Sequence, residues 1–316
     1  MKKYDVSIIV ASYNPEFNKL KRTIMSLLCQ KDITFEIIIA DDGSINNYFG
    51  ELKGLFKEKN FVDYKLVGGN KNEGTCINIH RGLKVSVGKY IKTIGQGDCL
   101  FDCNTLKKWY YFMESKDIDV CYGDAIYFCE KENEKIDIVS EKRLPQNIRG
   151  FGKEITKKRR FLNYVVLEDF VLGANFLIEA NVLKKYIDRI VGKIKYAEDM
   201  SIQLMIADGQ SVDYYPNPVV WYEYGTGIST DKSEKWEKII TDEKFKTLDL
   251  MITNNCFKGL ERLRLCIVLK MMKGKLKKAR YLFVPEIVGQ KKRIKKSNIR
   301  TKINVSTQVF YETTKD

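Results

Sequence analysis

The chain has 316 residues, 44% hydrophobic and 12% aromatic, which is enough to bury a sizeable core and too apolar for a disordered chain. Its net charge of +14 is concentrated: residues 257–300 hold 15 basic and 2 acidic side chains, whereas residues 1–256 are nearly neutral. A single histidine, His80, excludes a multi-histidine metal centre, and no run approaches the roughly 18 apolar residues that cross a bilayer.

Along the chain, apolar periodicity alternates between strand and helix. Val6–Val10 is a short β-rich run of the kind buried in a parallel sheet. Asn14-Pro15 follows as a helix cap and first-turn proline, and Phe17, Leu20, Ile24, Leu27 and Leu28 recur at helical spacing. Phe35–Ala40 predicts a second strand ending on Asp41-Asp42-Gly43-Ser44, and Tyr64–Val67 a third. A helix over Thr75–Val87 leads to a strand over Lys89–Ile94, which ends on Gly95-Gln96-Gly97-Asp98. Strands alternating with helices predict an open, mostly parallel α/β sheet, and such sheets bind ligands beyond the carboxyl ends of their strands. The polar clusters Ser12-Tyr13-Asn14, Asp41-Asp42 and Asp98 all fall at those ends. Asp-Gly-Ser after a strand is also an ordinary turn. Neither the dinucleotide fingerprint nor the P-loop follows any of these strands.

Val6–Asn14, Ser26–Gln30, Glu36–Ser44, Asn72–Gly82 and Gly88–Asp98, in that order and spacing, resemble the nucleotide-sugar domain of family 2 glycosyltransferases over roughly residues 4–225. The resemblance implies a GT-A fold, Rossmann-like, and transfer of a sugar from a nucleotide diphosphate with inversion at the anomeric carbon. Carried over to this chain, it places Ala11 and Tyr13 around the nucleobase and Asp42 on a base N–H. Asp41 would hold the turn or reach the ribose, and Asn72 and Asn78 would border the nucleotide. A carboxylate suits an imide N–H, which favours a UDP-sugar.

The family's acidic cluster, approximately D-x-D-D, reads Gly95-Gln96-Gly97-Asp98 here. Asp98 is therefore the one candidate ligand for a divalent metal, Mg²⁺ or Mn²⁺, aided by phosphate oxygens and water. Gln96 is expected to bond a ribose or sugar hydroxyl. Glu198-Asp199 before an amphipathic stretch over Ser201–Asp208 matches the family's late acidic motif, which implies Asp199 as general base and Glu198 as an orienting acid. Two acids at a helix start also suit its dipole. Leu172–Ile178 resembles a small-residue strand beneath the acceptor. Trp221, Tyr222 and Tyr224 are candidate sugar-stacking rings, Gly225–Ser229 a candidate phosphate loop, and residues 130–160 a candidate mobile insertion over the acceptor.

The expected division is a transferase domain over residues 1–230 and a helical, strongly basic region over 231–316. In the latter, Leu260–Leu282 mixes leucines and methionines with Lys and Arg, as on an anionic membrane surface or on a helical subdomain with a solvated basic face. No nucleic-acid motif is present. Eight cysteines without a CxxC pair, and no leader at Met1-Lys2-Lys3-Tyr4, predict a reducing cytoplasm and no disulfide framework. The resulting expectation is a hexosyl- or N-acetylhexosaminyltransferase acting at the inner membrane face on a glycan or polyprenyl-linked acceptor in bacterial surface polysaccharide synthesis. The alternative is a non-catalytic GT-A partner that binds glycan, membrane or an active homologue.

Overall fold

The computed structural model describes residues 3–131, 135–139, 145–225, 233–290 and 305–315. Four strands run parallel as expected: β1 Tyr4–Ser12, β2 Phe35–Asp41, β3 Tyr64–Gly68 and β4 Gly88–Gly95. The remaining strands are β5 Cys99–Leu100, β6 Val120–Glu130, β7 Ile136–Ile138, β8 Phe176–Glu179 and β9 Asp213–Glu223. Sheet order is β3-β2-β1-β4-β8-β6-β9-β5, with β7 beside β6. β8 is antiparallel to both neighbours, while β6 and β9 are parallel.

Both faces of the sheet are covered, which explains why its strands read as continuous apolar runs rather than alternating ones. In β1, Val6, Ile8 and Val10 point to one face and Ile9 to the other; in β2, Ile37 and Ile39 oppose Ile38 and Ala40. The first face packs on helices α1 Phe17–Leu28, α2 Phe49–Glu58 and α4 Thr105–Lys116. The second packs on α3 Thr75–Val85, α6 Ala180–Ile190 and α7 Met200–Ala207. All eight residues of α7 are buried, so it is a core helix and not the amphipathic one its polar flanks suggest.

The chain after residue 232 continues this second core. From α8 Glu234–Thr253 come Leu248 and Met251, and from α9 Gly259–Met272 come Leu265, Val268, Leu269 and Met272. Alternate apolar positions of the same segment stay in solvent, among them Leu260, Leu263, Leu276 and Leu282. The short helix α5 Lys157–Phe161 runs into a π-helical turn, Leu162–Val166, whose side chains are all buried.

Four expectations are corrected. Asn14 does not cap α1, which starts after Glu16; it takes a left-handed conformation (φ 44°), and its Oδ1 accepts the Ile45 N–H. Residues 145–160 are not a loose cover. Phe151 is fully buried, and Asp169 accepts the backbone N–H groups of Gln146 and Asn147. Trp221 is fully buried with its Nε1 donating to the Phe101 carbonyl, so it serves the core and not a sugar face. Cys29 and Cys103 form a disulfide where α1 ends beside the turn into α4, while the other six cysteines are free. Residues 226–229 of the candidate phosphate loop lie outside the described residues.

A last helix, α10 Thr307–Thr314, returns to the sheet edge. Phe310 sits fully buried against Phe128 and Trp221, with the Arg22 guanidinium 5.5 Å from its ring. Thr313 Oγ1 donates to the Phe101 carbonyl, and the Ile136 N–H donates to the Tyr311 hydroxyl. Removing a buried phenylalanine leaves a cavity, so Phe310→Ala is expected to destabilise the fold by about 3 kcal/mol, read as a lowered urea midpoint. A change below about 1 kcal/mol would mean that α10 is not part of the cooperative core.

Candidate active site

The ends of four parallel strands leave polar backbone that side chains satisfy one by one. Gln96 accepts the Ser12 hydroxyl (3.0 Å) and the Tyr13 N–H (3.1 Å) on Oε1, while Nε2 donates to the Tyr13 carbonyl (3.2 Å). Its amide holds the exit of β1, with one Nε2 N–H left over on the cavity side. Asp41 accepts the N–H groups of Gly43 and Ser44 and the Ser44 hydroxyl, so it holds the turn, the first of its two expected roles. Asp42 accepts the N–H of Glu73 (3.1 Å) and of Gly74 (2.7 Å), each oxygen keeping a further lone pair. Burial raises its pKa.

Asn78 is buried and donates through Nδ2 to the Ala40 carbonyl. Arg81, which the sequence did not single out, ties this corner together: it donates to Asn78 Oδ1, the Asp41 carbonyl and the Glu73 carboxylate. Its spacing of three from Asn78 on one helix face is the signal that points to it. Tyr13 is 45% exposed and Asn72 half-buried on the rim of this corner. Neither they nor Asp41, Asp42 and Asn78 line the main cavity.

That cavity, about 970 Å³, lies beyond the ends of β1 and β4. Ala11, Gly95, Gln96 and Asp98 line it from the strand ends; Glu198, Asp199, Met200 and Gln203 from the α7 side; Trp236, Glu237, Ile240, Thr241 and Lys244 from α8. The volume stands at the upper end of ligand pockets, roughly 300–1,000 Å³, so it has room for a nucleotide sugar and part of an acceptor. Of the ten residues carried over from the resemblance, the structure brings five to this cavity: Ala11, Gln96, Asp98, Glu198 and Asp199.

Glu198 and Asp199 owe their position to two features. Glu243 of α8 is buried, and its carboxylate accepts the N–H groups of Lys195, Tyr196 and Ala197, gripping the loop that carries both acids. The Gly173 Cα lies so close that an added Cβ would meet Asp199 Cβ at 3.2 Å; a small residue is required there. Gly74 is constrained likewise, since a Cβ on it (φ 96°) would strike Lys195 at 2.3 Å. Burial pushes both Glu198 and Asp199 above the ordinary carboxylate range; neighbouring Asp199 raises Glu198 further, and Glu243 adds to both.

Around Asp98 the surroundings differ. Its Oδ1 accepts the Glu223 N–H (3.0 Å), while Oδ2 faces Gly95. Glu223, another residue the sequence did not single out, lines the cavity and pairs with Lys19 at 2.7 Å. Lys92, fully buried in β4, donates to the carbonyls of Thr93 and Ala174. Burial brings Lys92 down to about 7 and Asp98 up to about 7, each partly offset by attraction to the other. Among the described residues no three His, Cys, Asp or Glu side chains form a metal cluster. The donor set therefore fits a divalent cation only through one carboxylate oxygen, with phosphate and water supplying the rest. Tyr222 lines the cavity. His80 pairs with Asp188 at 3.0 Å and is not among its lining residues.

A doubly covered sheet with a cavity beyond its strand ends is the arrangement in which open α/β sheets bind ligands. The sequence profile described as "Glycosyl transferase family 2" matches residues 7–187, more than half of the chain, and the protein belongs to that family. An uncharacterized glycosyltransferase of Methanocaldococcus jannaschii is 24% identical over 182 residues, covering 57% of each chain. One from Rickettsia felis is 34% identical over 130 residues, covering 41% of this chain and 20% of that one. The protein thus spans little more than half, or less, of these relatives' length. Among solved structures, S. aureus TarS 1–349 with UDP-GlcNAc superposes with a TM-score of 0.61 at 16% identity, over 90% of this chain and 81% of that one. The mannosyltransferase PcManGT from Pyrobaculum calidifontis, with GDP-Man and Mn²⁺, gives 0.56 at 10% identity over 92% and 75%. The fold is GT-A.

The enclosed acids have a pH signature. Their folded-state pKa values exceed those of the unfolded chain, so their contribution to stability is greatest below about pH 4 and is lost as pH rises through the folded values. For a catalytic base drawn from this pair the sign would be opposite, because a base must be ionised. The rate is expected to fall on acidification with a midpoint above pH 5, clear of the ordinary carboxylate value near 4. A pH–rate profile whose acid limb sits at about pH 4 would contradict the enclosed pair.

Proposed function

We propose that the protein is an inverting glycosyltransferase that moves a hexosyl or N-acetylhexosaminyl group from a UDP-sugar to a hydroxyl of a glycan or lipid-linked acceptor in bacterial surface polysaccharide synthesis. The observation that carries this reading is the sharing of one cavity by Asp98 at the end of β4 and the Glu198–Asp199 pair at the start of α7. UDP is favoured over GDP by Asp42, a carboxylate suited to an imide N–H, and by the UDP and UDP-GlcNAc held by TarS. The single acid at Gly95–Asp98 motivates a non-catalytic partner as the other reading; the second pair of acids in the same cavity weighs against it.

In this mechanism the nucleotide lies over Ala11 and Tyr13, with Asn72 and Asn78 bordering its corner. Asp199 takes the proton of the acceptor hydroxyl while that oxygen attacks the anomeric carbon. The carbon–oxygen bond to the diphosphate breaks from the opposite face, and its electron pair leaves with the nucleotide diphosphate. Glu198, beside it in the same enclosed site, orients the acceptor. Asp98 would hold a divalent cation through its free oxygen, and such a cation neutralises charge on a departing diphosphate. Where it is protonated, buried Lys92 attracts Asp98 and favours its ionised form.

Asp199→Asn is expected to lower transfer by roughly 10²–10⁴-fold, the usual worth of a general base. UDP affinity should change less than about threefold. Release of UDP from UDP-GlcNAc or UDP-glucose in the presence of acceptor measures the first, and calorimetric titration the second. Full activity in the variant would remove Asp199 from the mechanism.

The same reading places the enzyme at the inner face of an anionic membrane. No helix among the described residues is long and apolar enough to cross a bilayer. Leu260, Leu263, Leu276 and Leu282 stand exposed in a segment whose sequence carries a net +13, which suits shallow insertion under electrostatic attraction. A Leu263→Glu, Leu282→Glu double variant is expected to reduce sedimentation with phosphatidylglycerol vesicles at least tenfold. Unchanged sedimentation would assign these leucines to solvent or to another protein.

A further inference from the structure

A cluster of charges that reaches the cavity through Lys244 is used by none of the steps above. Glu168, directly after the π-helical turn, has a left-handed backbone (φ 58°), a conformation unfavourable for a residue with a side chain. Its carboxylate receives three cations: Lys244 of α8, Lys277 at 2.8 Å and Arg280 at 3.6 Å. Among the described residues no second carboxylate pairs with any of the three. One negative charge therefore faces three positive ones, leaving a local excess of two.

The cluster is also enclosed. Arg280 is 5% exposed, and its Nε is buried without a hydrogen-bond partner. Lys244 and Glu168 are largely covered, whereas Lys277 is half open to solvent. An uncompensated pair of charges in such a place is costly unless an anion shares it. Lys244 reaches the cavity itself, and it directly follows Glu243, whose carboxylate grips the loop bearing Glu198 and Asp199. Phe170, two residues beyond Glu168, lines the same wall. The excess charge thus lies on the side of the proposed base.

We propose that Lys244, Lys277 and Arg280 form an anion subsite at the cavity rim that holds a phosphate of the acceptor. The assignment rests on the transfer reading, in which the acceptor hydroxyl approaches Asp199 and the donor diphosphate departs at Asp98. A phosphate suits the cluster because it brings two or more oxygens for ammonium and guanidinium donors at once. It arrives either as the diphosphate of a prenyl-linked glycan or as the phosphodiester of a polyol-phosphate glycan. Both place a fixed anion a short distance from a sugar or polyol hydroxyl, so the subsite would set which hydroxyl meets the base.

The test compares wild type, Lys277→Gln, Lys244→Gln and, as a surface-charge control, Lys53→Gln on exposed α2. Each full-length protein is titrated with farnesyl diphosphate, with poly(glycerol phosphate) and, separately, with UDP, and thermal unfolding checks the fold. The proposal expects one of the two phosphate probes to bind wild type. Its affinity should fall at least fivefold in Lys277→Gln and Lys244→Gln, while Lys53→Gln and all UDP affinities stay within twofold. Preference for farnesyl diphosphate identifies a lipid diphosphate, and preference for the polymer a phosphodiester glycan. Equal affinity in wild type and both variants, or no binding of either probe, overturns the subsite and leaves an ion-pair anchor. Parallel loss of UDP affinity overturns the acceptor assignment and gives the cluster to the donor diphosphate. Absence of UDP binding by wild type would instead be a failure of the transfer reading, and the acceptor role would fall with it.

Discussion

The site depends on one constraint: where parallel strands stop, their last backbone groups and the loops leaving them must find partners. Here Gln96, Asp41, Asp42, Asn78 and Arg81 provide them, each side chain reaching from one strand end or helix to a neighbouring loop. The consequence is a corner held in shape without a ligand. Ala11 and Asp98 stand at the cavity because the loop after β1 is tied down by Gln96 and because Asp98 is fastened to β9 through the Glu223 N–H. Preorganisation of this kind lets binding energy go to the substrate rather than to ordering loops.

A second set of contacts brings the opposite wall into register. The Gly74 turn packs against Lys195, the Cys76 N–H donates to the Lys195 carbonyl, and Glu243 holds Lys195 and the next two residues. The strand-end corner and the acidic pair are thereby mechanically continuous. Since Glu243 belongs to α8, the helices after residue 232 are part of the site's construction as well as of the core. The charge distribution follows the same division. Carboxylates face the cavity, with Lys19 and Lys92 balancing those near β4, and the surplus cations collect around Glu168.

Much of this was legible in the residues. β1 to β4 and α3 come out within two or three residues of where apolar runs and Gly or Asp boundaries place them, because strands buried on both faces carry a strong signal. Asp98 and the Glu198–Asp199 pair, far apart in the chain, line one cavity. What the residues did not reveal is which polar groups are consumed internally. Gln96 was read for its sugar-facing amide alone, yet in space its amide also clamps the backbone of Tyr13. Glu243, Lys92 and Lys244 gave no sign, since an isolated charge in a helix or strand usually marks a solvated face. Cys29 and Cys103 are 74 positions apart and meet only because α1 and the turn before α4 converge. Helix α7 misled for a related reason: its flanks are polar, but α5, the π-helical turn, α6 and α8 pack around it.

The central claim is that this clamped corner and the cavity beside it form one donor site. A crystal structure of the protein soaked with UDP tests it most directly. The account predicts the uracil beside Ala11 and Tyr13 with its imide toward Asp42, the diphosphate next to Asp98, and the backbone of residues 11–14 and 72–74 unmoved. UDP bound elsewhere, or a uracil site reached only after the Gln96 and Asp42 clamps have opened, would contradict it.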